Sequence, residues 1–256
     1  MRRHVYNFLT VWAVLAIAGE AFAVLNFYPV VGAHEAKESD DIFRLLMLLG
    51  MPVFAFVVAG VGYSFFMFNA GKPAENNEGG PTMRGTGLAP KLWLAITGSL
   101  AIIVMIHPGL TGLANLQADP DGYGWGEKES ERIINVTAFR YGWQMEYEGT
   151  GVEVNQATAG ELVIPVGETV TFRVNSVDVI HSFWIPAFRL KIDALPGRTT
   201  FFSVEPTITG SFDDDDAFRV QCAELCGVDH SLMMFPIRVV EPSEFESWLA
   251  NLQEGN

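Results

Sequence analysis

The chain has 256 residues, enough for one large domain or two modest ones, and a formal charge of −14 at neutral pH. About half of it is apolar (49%), yet three long hydrophobic segments lie before residue 115 and none of comparable length after it. Residues 1–114 carry 7 acidic and 7 basic side chains and the rest 23 acidic and 9 basic, so the whole charge sits on the C-terminal part. That pattern excludes an evenly soluble protein and gives no reason to expect a nucleic-acid partner; it describes a membrane anchor followed by an acidic soluble domain.

In chain order, the apolar segments are residues 5–31, 42–68 and 92–113, each reaching the roughly 20 residues a helix needs to cross a bilayer. The first admits two readings. MRRH followed by FLTVWAVLAIA has the charged and apolar regions of a signal peptide, with AFA (21–23) and VGA (31–33) as cleavage sites; it also has the length of a retained transmembrane helix, although Glu20 lies inside it. The second carries one early charge, Arg44, able to reach back to the interface, and with the third it forms a transmembrane hairpin over residues 42–114. The third has Trp93 at its start, suited to the interfacial belt, and only His107 near its far end. Arg2 and Arg3 precede the first segment, the acidic AHEAKESDD separates the first two, and Lys72, Arg84 and Lys91 lie between the second and third. This places the N-terminus and the 70–91 loop in the cytoplasm and exports everything after residue 115. The expected localisation is therefore the plasma membrane, multi-pass, with an extracytoplasmic domain.

The 70–91 segment, rich in Gly, Pro and Asn, is expected to be a flexible loop, and residues 115–131 a polar linker. Eight short β-rich runs follow: IINVTAF, WQMEYEG, ELVIPV, ETVTFRVNS, HSFWIP, TTFFSVE, AFRVQC and MMFPIRVV. Alternation and intervening turns predict a β-sandwich or barrel of about 120 residues. A closing helix is expected before WLANL, with Ser243 and Glu246 as a capping box, and Asp213–Asp216 is expected to form a solvated turn.

Chemistry concentrates in VQCAELCGVDHSLMMF (220–235), which holds both cysteines of the chain. Two cysteines in an exported domain ordinarily mean a disulfide, which would have no use for His230 or Met233. A structural zinc could take both thiolates, His230 and His181 from HSFWIP, leaving the soft Met233 thioether unexplained. A single blue copper needs only one cysteine. Two thiolates, two imidazoles and a thioether suit two copper ions sharing both sulfurs, each completed by one histidine and a weak axial group. Apolar Leu225, Leu232 and Phe235 are expected to keep water off the sulfurs.

Cys222-Ala-Glu224-Leu-Cys226-Gly227-x-x-His230-x-x-Met233 resembles the copper loop of cytochrome c oxidase subunit II. DVIHSFWIPAFRLKIDALPGR (178–198) and the aromatic FRYGWQMEY (139–147) share the resemblance, which extends over roughly residues 42–241. It implies a membrane-anchored all-β protein: a transmembrane helical hairpin, preceded by a signal peptide (1–33) or third helix, and a cupredoxin-like Greek-key β-barrel over 132–256. It further implies a binuclear copper centre, CuA, held by His181, Cys222, Cys226, His230 and Met233 through their side chains and by Glu224 through its carbonyl. The Glu224 carboxylate would face a magnesium ion shared with subunit I, haems lying on the partner subunit only. The implied function is to accept electrons from cytochrome c and pass them to subunit I, which reduces oxygen to water while protons are translocated; subunit III is a further expected partner.

Acidity suits a basic donor, and Asp178 and Asp193 match acidic family positions near the copper, making them docking candidates. Surplus carboxylates also suit a protein adapted to high salt, where screening would shorten such steering. Many relatives have a tryptophan that receives the electron where this chain has Tyr141, so Tyr141 or Trp143 would take that role. LAPKLW places Pro90 and Lys91 where the family often has a glutamate of a proton path, so that role does not carry over. Two other classes remain open from the residues alone: a copper-trafficking or storage protein, and a zinc- or disulfide-stabilised ectodomain. No C-x-x-C-H motif for covalent haem is present.

Overall fold

Long apolar runs near the N-terminus form helices and the alternating runs after residue 131 form sheets. A computed structural model describes residues 2–25, 28–67, 87–112, 124–125, 132–156 and 160–254. The chain divides into two compact units, one from residues 1–27 and 41–112 and the other from 28–40 and 113–256. Most of the 70–91 loop and of the 115–131 linker lies outside the described residues.

The first unit contains helices α1 (Arg2–Ala23) and α3 (Leu88–Val104) and, from residue 41 onward, α2 (His34–Met67). Arg3–Ala23, His34–Met67 and Leu88–Leu110 are each long and apolar enough to cross a membrane. Side chains of α1 fit α2 along its length: His4 Nδ1 lies 2.9 Å from Tyr63 Oη, Phe8 meets Phe56 edge-on at 5.2 Å, and Trp12 Nε1 donates to the Pro52 carbonyl at 2.9 Å. Nearer the other end Gly19 lies under Met51, where an added Cβ would sit 3.2 Å from the Met51 sulfur. Past α3 the chain continues as a π-helical turn, Met105–Leu110, with extended backbone at His107. The residue before a proline avoids helical angles, and Pro108 follows.

Hydropathy places the start of the second segment at residue 42, whereas α2 begins at His34. The charged HEAKESD belongs to the helix because its apolar side is buried: Ala36, like Ala33 just before the helix, is fully covered within the second unit. The Gly32 amide donates to the Ala187 carbonyl, the Gly32 carbonyl accepts from Thr207, and His34 N donates to Glu205 O. Arg189 adds a further anchor, with all of its guanidinium nitrogens engaged by both Asp40 oxygens and by the carbonyls of Pro29, Val30 and Pro186.

The second unit is a two-sheet sandwich. Twelve strands are described: β1 (Gly124–Trp125), β2 (Arg132–Phe139), β3 (Gly142–Tyr147), β4 (Val152–Asn155), β5 (Leu162–Pro165) and β6 (Val170–Ser176), then β7 (His181–Ile185), β8 (Leu190–Ala194), β9 (Thr200–Val204), β10 (Gly210–Ser211), β11 (Arg219–Cys222) and β12 (Met234–Val240). One sheet runs β1-β9-β6-β2-β3-β4 and the other β10-β12-β11-β7-β8, with β5 parallel to β12. Strands such as β2 and β8 bury alternate residues, as the period of a half-buried strand requires. Trp143, Phe172, Phe183 and Phe202 fill the centre, with Phe172 5.3 Å from Phe183 and 5.2 Å from Phe202. This is the membrane-anchored, cupredoxin-like architecture that the sequence implied. Within the expected linker, Gly124–Trp125 pair with Phe201 and Phe202 as an edge strand.

The closing helix α4 spans Pro242–Glu254 and corrects the expected cap. Pro242 occupies the first helical position, where its missing amide costs nothing, and the Glu241 carbonyl accepts from the Glu244 and Phe245 amides. Ser243 lies inside the first turn, and the Glu246 side chain binds Arg132 instead of closing a capping box.

Candidate metal centre

Three strand ends build the site. His181 opens β7, Cys222 closes β11, and residues 223–233 cross from there to β12. Antiparallel pairing of Cys222 with Phe183 and of Gln221 with both Trp184 and Met234 brings residues from 181 and from 222–234 together. The connecting loop is held by its own bonds: Cys222 N to Met233 O, His230 N to Gly227 O, and a short 3-10 turn over His230–Leu232.

All six residues carried over by the resemblance converge. Cys222 and Cys226 Sγ lie 3.9 Å apart, nearly twice a disulfide length. Cys222 faces His181 Nδ1 at 3.9 Å and its thiol donates to the Glu224 carbonyl at 3.2 Å. Cys226 faces His230 Nδ1 at 3.7 Å and Met233 Sδ at 3.8 Å. Each sulfur therefore has one imidazole and one weak donor of its own. The ligand atoms of His181, Cys222 and Cys226 lie within 4.8 Å of one another, a spacing that can hold a metal ion, since thiolate–metal bonds of about 2.3 Å can bridge sulfurs so separated. His181 and Met233 are fully buried and the cysteines nearly so. Burial, with Cys222 alongside, pushes the Cys226 thiol up to about 11, so a metal must displace a firmly held proton.

Several contacts around the ligands are absent from the motif. Asp178 Oδ1 lies 2.8 Å from His181 Nε2 and accepts from the Val179 amide, while Oδ2 accepts from the Arg140 amide at 2.9 Å and from Arg140 Nε at 3.2 Å. Burial acts to raise the Asp178 carboxyl, but these bonds outweigh it and hold the carboxylate well below its usual range. Asp178 is thus engaged inward, whereas Asp193, on β8, is exposed. Trp143 is fully buried, edge-on to His181 at 6.2 Å and to Phe183 at 5.3 Å; Tyr141 is half-buried, its Oη accepting from the Val228 amide. Gly227 permits that approach: its φ is +143°, and a Cβ there would stand 2.3 Å from Tyr141 Oη. The glycine following Cys226 was the one sequence signal of this contact.

The expected apolar shield is corrected in part. Phe235 is buried, but Leu225 is 78% and Leu232 72% exposed, and Val228 beside them 89%. Leu225 and Leu232 thus turn most of their surface outward instead of forming a buried shield. The Glu224 side chain is likewise exposed.

Residues 143–241 match the family model for cytochrome C oxidase subunit II, periplasmic domain. Cytochrome c oxidase subunit 2 of Alkalihalophilus pseudofirmus is 32% identical over 212 residues, 80% of this chain and 57% of the relative. This chain belongs to the cytochrome c oxidase subunit II family. Within it, the probable cytochrome c oxidase subunit 2 of Streptomyces coelicolor is 47% identical over 91 residues, 36% of this chain and 27% of the relative. A crystal structure of the periplasmic domain of subunit II of cytochrome oxidase from Bradyrhizobium japonicum is 34% identical, covering 50% of this chain and 96% of that one with a TM-score of 0.44. The chain spans about half the length of the curated relatives it matches.

Proposed function

We propose that this subunit II holds a binuclear copper centre and is the electron-accepting subunit of a haem–copper oxidase, receiving electrons from cytochrome c and passing them to subunit I. The observation that carries this reading is the doubled donor set: two sulfurs 3.9 Å apart, each with its own histidine Nδ1 and its own weak third donor. His181, Cys222 and the Glu224 carbonyl would serve one ion, Cys226, His230 and Met233 the other, and both sulfurs would be shared. Such a pair supplies a one-electron relay with little change in bonding on oxidation, because the charge is spread over both metals. A disulfide would leave the imidazoles and thioether without purpose, zinc would leave Met233 a poor ligand, and full burial of His181 and Met233 disfavours an exchangeable trafficking site.

The protein's own part is to exclude water and hold donors rigid. His181 is fixed in a strand with neighbours on both sides, and Phe235, Trp143 and Phe183 pack beneath the site. The exposed Leu225, Val228 and Leu232 support a surface that another protein covers, and we assign subunits I and III and the electron donor as the partners. Glu224, its carbonyl turned to Cys222 and its carboxylate exposed, suits the magnesium shared with subunit I. Asp193 suits a basic donor such as cytochrome c, and half-buried Tyr141, in contact with the ligand loop, is better disposed than buried Trp143 to receive the electron. Haems and oxygen reduction belong on subunit I.

For residues 1–33 we assign a retained transmembrane helix. Matched contacts of His4, Phe8, Trp12 and Gly19 with α2 favour a permanent neighbour, and cleavage after Ala33 would remove two carbonyls that bind Arg189. The orientation with the copper domain outside follows from Arg2, Arg3 and Lys91.

The deciding experiment is copper analysis and EPR spectroscopy of the purified full chain. Two coppers per chain sharing one unpaired electron are expected; one metal ion, or oxidised cysteines, would overturn the reading. Intact mass of the same sample tests the helix, which must retain residues 2–23.

A further inference from the structure

The turn between β2 and β3 consists of only two residues, Arg140 and Tyr141, because Phe139 and Gly142 already pair with each other. β2 and β3 are zipped by six residue pairs and β2 is paired again to β6, so this turn is carried on the interior of a sheet that bears no ligand itself. Its two side chains diverge. Arg140 reaches the 178–181 segment and Tyr141 the 226–230 segment, which are the two stretches that carry the imidazoles.

On the first branch, the Arg140 amide and Nε both donate to Asp178 Oδ2, and Asp178 Oδ1 lies 2.8 Å from His181 Nε2. An ionised carboxylate can only accept, so Nε2 carries the proton and the Nδ1 lone pair is left facing Cys222. The carboxylate is held by the Val179 amide and the Ser176 hydroxyl on Oδ1 and by the Arg140 pair on Oδ2. On the second branch, Tyr141 Oη accepts the Val228 amide, over a glycine whose missing side chain makes room for it. Gly227, whose carbonyl accepts from His230, lies directly before Val228, so this bond ties the middle of the loop between Cys226 and His230 to the other sheet.

We propose that the Arg140–Tyr141 turn is a positioning element that references both halves of the donor set to one rigid point: Arg140 acts through Asp178 on His181, and the Tyr141 hydroxyl acts through Val228 on the loop carrying Cys226 and His230. This deepens the copper reading and rests on it. A tyrosine here has a task beyond offering an aromatic face, since tryptophan or phenylalanine at 141 would lack the oxygen that accepts the Val228 amide. It follows that the two branches are separable: a change in one residue should disturb one half of the site and spare the other.

The test uses the full chain, unaltered and as Tyr141→Phe and Arg140→Ala. Hydrogen exchange by mass spectrometry in the metal-free state reads the loop, nitrogen NMR of the histidine rings reads the tautomer, and the absorption and EPR spectra read the copper-loaded state. Tyr141→Phe keeps the ring and should raise exchange in peptides containing Val228 about tenfold, with shifted copper spectra and an unchanged His181 tautomer. Arg140→Ala removes the Nε bond and keeps the amide of residue 140, so it should partly redistribute the His181 ring proton and leave Val228 exchange as it was. Unchanged exchange and spectra in Tyr141→Phe, or both variants producing the same change, would overturn the proposal. An unaltered chain that takes up no copper pair would overturn the function itself, a result visible before either variant is made.

Discussion

His181 and the 223–233 loop meet at the same sulfurs but are held by different means. His181 lies in β7 between β8 and β11, is fully buried, and is flanked by Trp143 and Phe183 of the sandwich core. The loop is held at its ends by the Cys222–Met233 and Ala223–Ser182 backbone bonds and between them by local turns and the Tyr141 contact, and three of its apolar side chains face outward. One half of the site is therefore fixed by folding, whereas the other combines fixed sulfurs with a surface that folding leaves uncovered. The electron relay proposed for this site would need both properties: donors that do not move when the charge changes, and an outer face by which electrons come and go.

That contrast can be broken most severely at the shared atoms. Cys222→Ser or Cys226→Ser should abolish the proposed copper pair, because both ions would depend on each sulfur; metal analysis should find fewer than two coppers per chain, and the shared-electron EPR signal should be absent. Removing the floor under His181 comes next. Trp143→Ala should destabilise the fold by about 3–5 kcal/mol through the cavity it leaves, measured by chemical denaturation, and should loosen the His181 side first.

Away from the site, Tyr147→Phe separates fold from function. The Tyr147 hydroxyl donates to the Val163 carbonyl and accepts the Val163 amide, both buried. Losing it should cost about 1–3 kcal/mol with copper spectra unchanged. It also carries a pH signature. Burial, first of its causes, raises the Tyr147 phenol well above its ordinary value of 10.0, so the folded state favours the neutral form. The stabilisation is complete below pH 10 and is lost as pH climbs above it, because only the unfolded chain releases that proton readily. Denaturation at pH 9 and pH 11 should show a decline in the unaltered chain that Tyr147→Phe lacks. The smallest effect on stability is expected on the loop surface: Leu225→Ser and Leu232→Ser should shift it by no more than about 0.5 kcal/mol, yet weaken association with the rest of the oxidase in a pull-down. Equal binding by these variants would remove the case for a covered face.

Much of this was legible in the residues. Spacing within Cys222–Met233 named four donors on one short loop, and alternation marked eight of the strands. The strands missed were short or at an edge: β1 lies in what composition reads as a linker, and β10 has only two residues. The start of α2 was missed because hydropathy sees only the bilayer, and residues 34–40 are helical for another reason, the burial of Ala36 and the Asp40–Arg189 pair. Arg189 itself gave no sign of its role, since its partners other than Pro186 lie 149 to 160 residues away.

What this sequence determined alone is chemical identity: which atoms can bind a soft metal, which segments can enter a lipid phase, and which end carries the charge. These depend on side-chain type and on neighbours a few positions apart. The tertiary structure decided which of those atoms meet and in what state. His181 is 41 residues from Cys222, Tyr141 is 87 from Val228, and only the pairing of β7 with β11 and the packing of two sheets bring them within bonding distance. The same packing turned Asp178 inward and Leu225 outward, because orientation is set by what covers a side chain and not by what the side chain is.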